Sequence, residues 1–172
     1  MKCRQASVFT ILLLTYWQAT AIAQDNDRVN GIYQRMSAAY ASLDSQAFAD
    51  IYAADSIYLR SNDSPMLVGV DGVIANFESF FSGIRDESGR LELKFRVIRR
   101  ECDDSLCSDV GWYKLNRYDR DGALQGTSYG RFLTSPGRSE DGLWRFLADV
   151  DTGAREAHWN AATEVAGLQF DD

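Results

Sequence analysis

Two aspartates, Asp149 and Asp151, stand two positions apart in Trp144-Arg145-Phe146-Leu147-Ala148-Asp149-Val150-Asp151. On an extended strand that spacing puts both carboxylates on one face. A carboxylate pair held in one site can divide into a proton donor and a proton acceptor. The alternation admits two phases. With Phe146, Ala148 and Val150 inward, the aspartates meet solvent or an interface. In the opposite phase they enter the interior and are available as acid and base, because a one-residue shift exchanges the two faces.

The single histidine, His158, follows in Ala157-His158-Trp159. An imidazole there would serve as a general base if the tail folds over a site. Its other reading is a packing or surface group beside a tryptophan. Tyr58 and Arg60 form a third constellation, on one side of a short strand and near Tyr33, Met36 and Tyr40. A guanidinium there can bind a carboxylate bidentately while the rings cover an apolar body. Alternatively, Arg60 reaches water at the strand end with its stem lying on apolar surface. Trp112 and Tyr113 are neighbours, so one of them turns inward in either phase. Together with Phe146, the residues Tyr33, Met36, Tyr40, Tyr58, Arg60 and Trp112 make up the candidate ligand pocket, whereas Trp144 reads as core.

Other chemistries find no support. No Gly-x-Ser-x-Gly occurs, and one histidine leaves little for a catalytic triad. No Gly-rich phosphate loop is present. Cys102 and Cys107 flank a four-residue polar turn between strand-like runs. That is not the Cys-x-x-Cys redox spacing, and two thiolates with one distant histidine do not complete a zinc site. The pair reads as a structural disulfide, stabilising by roughly 2 kcal/mol in the chain-entropy picture. No metal and no cofactor is expected.

The elements that must position these residues change period midway. Val29, Ile32, Tyr33, Met36, Tyr40 and Leu43 recur at three- and four-residue steps, one apolar helix face with Asp27 as its N-cap. Ser45 caps a second, short helix that turns Phe48, Ile51 and Tyr52 inward. Ser56 to Arg60 alternates as a strand, followed by the polar loop Ser61 to Pro65. Asp71 then caps a third helix, whose buried stripe is Val70, Ile74, Phe77, Phe81 and Ile84. From Leu91 the period becomes two, with Leu91, Leu93, Phe95 and Val97 on one face. Turn signals at Asp103-Asp104-Ser105, Asp119 to Gly122 and Ser135-Pro136-Gly137 separate further strands at about residues 107–118, 124–134 and 143–150. Helices followed by a meander describe an α+β domain.

The N-terminus reads as a cleaved signal peptide. Lys2 and Arg4 precede an apolar run from Val8 to Trp17, and Ala21-Ile22-Ala23 supplies the cleavage pattern. The run is shorter than the about 20 apolar residues a membrane anchor needs. Cys3 lies in the charged n-region, away from a lipidation position. Residues 1–23 are thus the signal, 24–152 one domain, and 153–172 a tail forming a short helix or flap. The expected location is secreted or periplasmic. Removing the signal takes away two positive charges and no negative one, moving the formal net charge from −7 to −9. Such a surface repels nucleic acid and anionic lipid, so neither is an expected partner.

Three segments, "LDSQAFADIYAADSIYL", "GVDGVIANFESFF" and "DGLWRFLADVD", occur in an order and spacing that resemble the SnoaL-like branch of the nuclear transport factor 2-like superfamily. The likeness spans about residues 27–152. It implies a cystatin-like α+β cone, with three N-terminal helices packed on a strongly curved, mainly antiparallel sheet. Such cones often open into a pocket and often dimerise through the outer sheet face, so a homodimer and a small-molecule ligand are the implied partners. Members include steroid isomerases, polyketide cyclases, dehydratases and epoxide hydrolases beside non-catalytic domains, so the fold leaves open whether this chain is an enzyme. The steroid-isomerase residues do not carry over. Arg60 stands where the carboxylate base would be, Met36 where the helix tyrosine would be, and Gly130 where the proton-donating acid would be. Three functions remain: an exported binder of a largely apolar or aromatic molecule with or without an acid group, a cofactor-free lyase, cyclase or isomerase using Asp149 or Asp151, and a homodimeric interaction domain with a filled cone.

Overall fold

The computed structural model describes residues 27–60, 64–162 and 169–170. The signal-peptide expectation and the loop Ser61 to Asp63 lie outside the described residues. Helix α1 (residues 27–42) turns Val29, Ile32, Tyr33, Met36 and Ala39 into the core. Asp27, expected as its cap, is already helical. A 3-10 helix (Gln46–Asp50) buries Phe48, and Ser45 occupies its N-cap position. The Ser45 hydroxyl makes no cap bond and instead donates to Glu78 at 2.7 Å, tying the turn to the next helix.

Strand β1 (Tyr52–Arg60) and the two-residue β2 (Leu67–Val68) lead into helix α2 (Val70–Asp86). The cap of α2 is Gly69, so Asp71 falls inside the first turn, where its charge complements the helix dipole. Val73, Phe77, Phe81 and Ile84 are its buried stripe. The meander follows as β3 (Arg90–Cys102), β4 (Cys107–Tyr118), β5 (Leu124–Arg138) and β6 (Trp144–Gly153). A short helix α3 (Glu156–Asn160) and β7 (Gln169–Phe170) complete the described chain.

The seven strands form one sheet in the order β2-β1-β6-β5-β4-β3-β7. Every pairing is antiparallel except β1 with β6. Helices α1 and α2 fill its concave face. Tyr33 of α1 touches the rings of Phe95, Phe132 and Phe146 from three strands, and Phe77 of α2 stacks on Phe48 and Tyr58. Cys102 and Cys107 face each other across the end of the β3–β4 hairpin in a disulfide, with Cα atoms 4.1 Å apart.

The tail packs on both sides of the sheet. Helix α3 lies on the convex face, where Trp159 is buried beneath the Arg96 guanidinium, 4.2 Å from its ring. Strand β7 pairs with the outer edge of β3, and Phe170 stacks on Tyr33 at 5.3 Å. Phe170 therefore packs against the core.

Two β-bulges decide what the concave face carries. In β3 the register slips between Val97 and Arg99. The odd-numbered residues Leu91 to Val97 face inward before it, and Arg100 faces inward after it. In β6, Phe146 pairs with Pro136 and Ala148 with Ser135, leaving Leu147 as the extra residue. Ser135-Pro136-Gly137 is therefore no turn but the partner of a bulge, a position that tolerates proline because no ladder donor is needed. The turn itself falls three residues later, closed by hydrogen bonds from the Ser139 N–H to the Leu143 carbonyl and from the Gly142 N–H to the Ser139 carbonyl. Gly137 makes the bulge possible, since a Cβ there would sit 2.3 Å from a Leu147 methyl.

Candidate functional site

The β6 bulge resolves the two-phase question in an unexpected way, because both phases occur in one strand. Trp144 and Phe146 are buried before Leu147, and Asp149 is buried after it with Asp151 half-buried. The aromatic wall and both carboxylates thus share the concave side. They line a cavity of about 80 Å³ together with Tyr33, Met36, Tyr40, Tyr52, Tyr58, Phe77, Leu93, Phe95, Tyr113, Leu115, Phe132 and Thr134.

The parallel pairing of β1 and β6 sets Tyr58 opposite Asp149 and Arg60 opposite Asp151. Tyr52 donates its phenol proton to Asp149 Oδ2 at 2.5 Å. Tyr58 and Tyr113 point at Asp151 Oδ2 from 3.3 and 3.4 Å. The Tyr113 ring reaches that position by lying across Gly130, where a Cβ would come within 2.0 Å of its Cζ. Gly130, which replaces an acid in the isomerase comparison, here makes room for a phenol.

These surroundings separate the two carboxyl groups. Burial pushes Asp149 up to about 7 from its ordinary 3.8; the Tyr52 hydrogen bond opposes the rise and the Asp151 charge adds to it. Asp151 is also raised by burial, but the Tyr58 bond, the Arg60 charge and the Tyr113 bond all hold it back. At neutral pH, Asp149 is therefore poised between its acid and base forms. Burial keeps the Tyr52, Tyr58 and Tyr113 phenols protonated, so all three remain hydrogen-bond donors.

Behind the cavity lies a second polar group, an ion pair with exposures of 5% and 0% for Arg100 and Asp109. Arg100 reaches Asp109 through two bonds of 2.8 and 2.7 Å and also donates to Asn30. Tyr33 donates to Asp109 at 2.7 Å and meets the Thr134 hydroxyl at 2.8 Å. This network pins α1 to β3, β4 and β5, two residues from the disulfide, and fixes the Tyr33 ring in the cavity wall.

Of the expected pocket residues, Tyr33, Met36, Tyr40, Tyr58 and Phe146 line the cavity. Arg60 stands beside it, half-buried and close enough to act on Asp151. Trp112 does not line it: the strand phase turns Tyr113 inward and Trp112 onto the convex face, 5.3 Å from the His158 ring. His158 is removed from the cavity for the same reason, since α3 docks on the convex side and does not cover the mouth. Its ring nitrogens face the Arg155 backbone and guanidinium. Tyr52 and Thr134 were missed as site residues. The signal available for Tyr52 was its four-residue distance from Phe48 at a helix-to-strand change, and none marked Thr134.

No protein-family model matches the sequence, and no curated protein matches it. Solved structures do. ActVI-ORFA from Streptomyces coelicolor superposes with a TM-score of 0.63 at 14% identity, over 74% of this chain and 95% of that one. A nuclear transport factor 2-like superfamily protein from Salmonella enterica gives 0.61 at 10% identity, over 78% and 94%. A ketosteroid isomerase-like protein from Erwinia carotovora gives 0.58 at 13% identity, over 74% and 94%. At such identities the likeness establishes architecture and leaves activity open. With its two inner helices, its curved sheet and its aromatic cavity, the chain has the fold of the nuclear transport factor 2-like superfamily.

Proposed function

We propose that this domain is a cofactor-free enzyme that moves a proton on a small, largely apolar carbonyl compound held in the aromatic cavity. The observation that carries this reading is Asp149, enclosed among aromatic rings and poised near pH 7. In the proposed step the ionised Asp149 takes a proton from the carbon next to the carbonyl. The electron pair of the broken C–H bond forms a carbon–carbon double bond and displaces the carbonyl π pair onto oxygen, which accepts a hydrogen bond from the Tyr58 or Tyr113 phenol. Where the substrate carries an adjacent carbon–carbon double bond, return of the proton from Asp149 to its far carbon, as the oxygen pair re-forms the carbonyl, completes an isomerisation; where the β-carbon carries a leaving group, its departure with its bonding pair completes an elimination. Arg60, opposite Asp151, favours the charged form of that carboxylate, so the abstracted proton stays on Asp149 until it is returned.

The test is deuterium exchange next to the carbonyl in a panel of cyclic and linear ketones, followed by NMR in heavy water. Wild-type protein accelerates exchange with an inflection near pH 7, and Asp149→Asn abolishes it. If no ketone exchanges faster than in buffer, or if Asp149→Asn retains the rate, the reading is wrong.

A homodimer is a second inference. Leu59, Val150 and Leu133 are cross-strand neighbours on the convex face and 40%, 38% and 46% exposed, a contiguous apolar row of the kind that marks interaction surfaces. Light scattering that returns the monomer mass for the mature chain, and again for Leu133→Lys, removes it. Export through residues 1–23 is inferred with it; the Cys102–Cys107 disulfide is consistent with an oxidising compartment. N-terminal sequencing of the exported protein, expected to start at Gln24, checks the cleavage.

A further inference from the structure

The cavity by itself is smaller than an ordinary small-molecule site. Small-molecule sites enclose roughly 300–1,000 Å³, and the space around Asp149 and Asp151 is about 80 Å³. A second concavity of about 550 Å³ lies on the molecule, lined by Phe80, Leu91, Leu115, Arg117, Gln125 and Ser128 among others. Leu115 belongs to both walls.

The strand register shows how the two spaces relate. Side chains two positions apart on a strand share a face, so the concave face can be followed row by row. The row Phe95, Tyr113 and Gly130 borders the cavity. The next row is Leu93, Leu115 and Ser128, and the one after it is Leu91, Arg117 and Gly126. Leu93 lines the cavity, whereas Ser128, Leu91, Arg117 and Gly126 line the larger groove. Helix α2 makes the same passage on the opposite wall, with Phe77 in the cavity and Phe80 in the groove. Gly126 leaves its row bare, with nothing within 4 Å of where a Cβ would be. Phe80 is 38% exposed over this opening, an apolar ring facing the groove.

From this continuity we infer that cavity and groove are one site, built for an elongated, mainly apolar molecule. Its reacting end enters the cavity beside Asp149 and Asp151. Its chain passes Leu115 and Ser128 and lies along Phe80 and Leu91, and its outer end meets the hydrogen-bonding groups of Gln125. The inference rests on the proposed use of the cavity and adds the shape and polarity of what fills it. Arg117 pairs with Glu87 at the groove wall, so the outer end carries no net positive charge to select an acid group.

The test uses 1-alkanols from butan-1-ol to decan-1-ol as probes of the full chain, with dissociation constants read by ligand-observed NMR. A hydroxyl head suits the carboxylates, and the chain length samples the path. Affinity rises roughly twofold per added methylene across the series, half the roughly fourfold gain of a fully buried methylene because the groove is open on one side. Gly126→Phe fills the groove without touching the cavity, and Leu115→Trp blocks the junction. In both variants the rise stops at the short alkanols. If wild-type affinity levels off at butan-1-ol or pentan-1-ol, or climbs equally in both variants, the continuous site is refuted while the cavity stands. If no alkanol binds the wild type, both the continuous site and the proposed use of the cavity fall.

Discussion

Replacing Asp149 with asparagine isolates the energetic cost of the buried carboxyl group. Asp149 is raised from 3.8 to about 7, chiefly by burial. Between those values the native protein retains a proton that the unfolded chain has released. The unfolded state therefore binds fewer protons there, and stability falls as pH rises from about 4 to about 7 before levelling off. A shift of about 3 units corresponds to roughly 4 kcal/mol, a large share of the roughly 5–15 kcal/mol that holds a domain together. Asparagine has nearly the same shape, can still accept from Tyr52, and does not titrate. The variant should match wild type near pH 4 and exceed it by up to roughly 4 kcal/mol at pH 8 and above. The slope contributed by Asp151 has the same sign and remains in both proteins, so it largely cancels in the difference. Urea unfolding at half-unit steps from pH 4 to pH 8.5 measures this, with the m-value confirming that the states compared are the same. A stability difference that stays constant over the range would refute the burial of a titrating carboxyl at this position.

Three further outcomes follow from the supporting residues. Gly130→Ala places a methyl 2.0 Å from Cζ of Tyr113; it should cost about 1–3 kcal/mol and raise Asp151 further by removing one of its hydrogen bonds, visible in a carbon-13 carboxyl titration. Arg100→Ala leaves Asp109 buried and unpaired, for a loss of about 3–5 kcal/mol; Arg100→Met with Asp109→Leu should recover much of it, and equal unfolding midpoints for the single and double variants would contradict this account. Replacing Cys102 and Cys107 by serine should lower stability by about 2 kcal/mol through the unfolded chain, so reductant should destabilise the wild type by a similar amount and leave the double serine variant unchanged.

Much of the architecture could be read directly from residue periodicity. The three-and-four spacing from Val29 to Leu43 and the alternation from Leu91 to Val97 each report one buried face, and a single buried face is what sequence period records. Tyr33, Met36, Tyr40 and Tyr58 were placed around one interior on that basis, and the cavity wall contains all four. The same logic could not place Asp149 and Asp151. A period of two assumes one unbroken register, and β6 breaks its register at Leu147. Phe146 and Asp149, three positions apart, both face inward only because that extra residue intervenes. Ser135-Pro136-Gly137 misled as a turn for the same reason, since proline and glycine mark a bulge partner and a chain reversal with similar residues. His158 and Trp112 were likewise beyond local pattern, because the side of the sheet on which α3 docks depends on contacts between residues far apart in the chain.

The sequence by itself determined the main helices and the strands of the meander, their order, the disulfide partners and the aromatic character of the interior, since each depends on neighbours within a few positions. Tertiary structure alone decided that two bulges would turn polar groups inward. One brings Arg100 to Asp109 behind the cavity, and the other brings Asp149 and Asp151 into it. Burial within that packed interior, a property no single strand possesses, then moves the Asp149 carboxyl to neutrality.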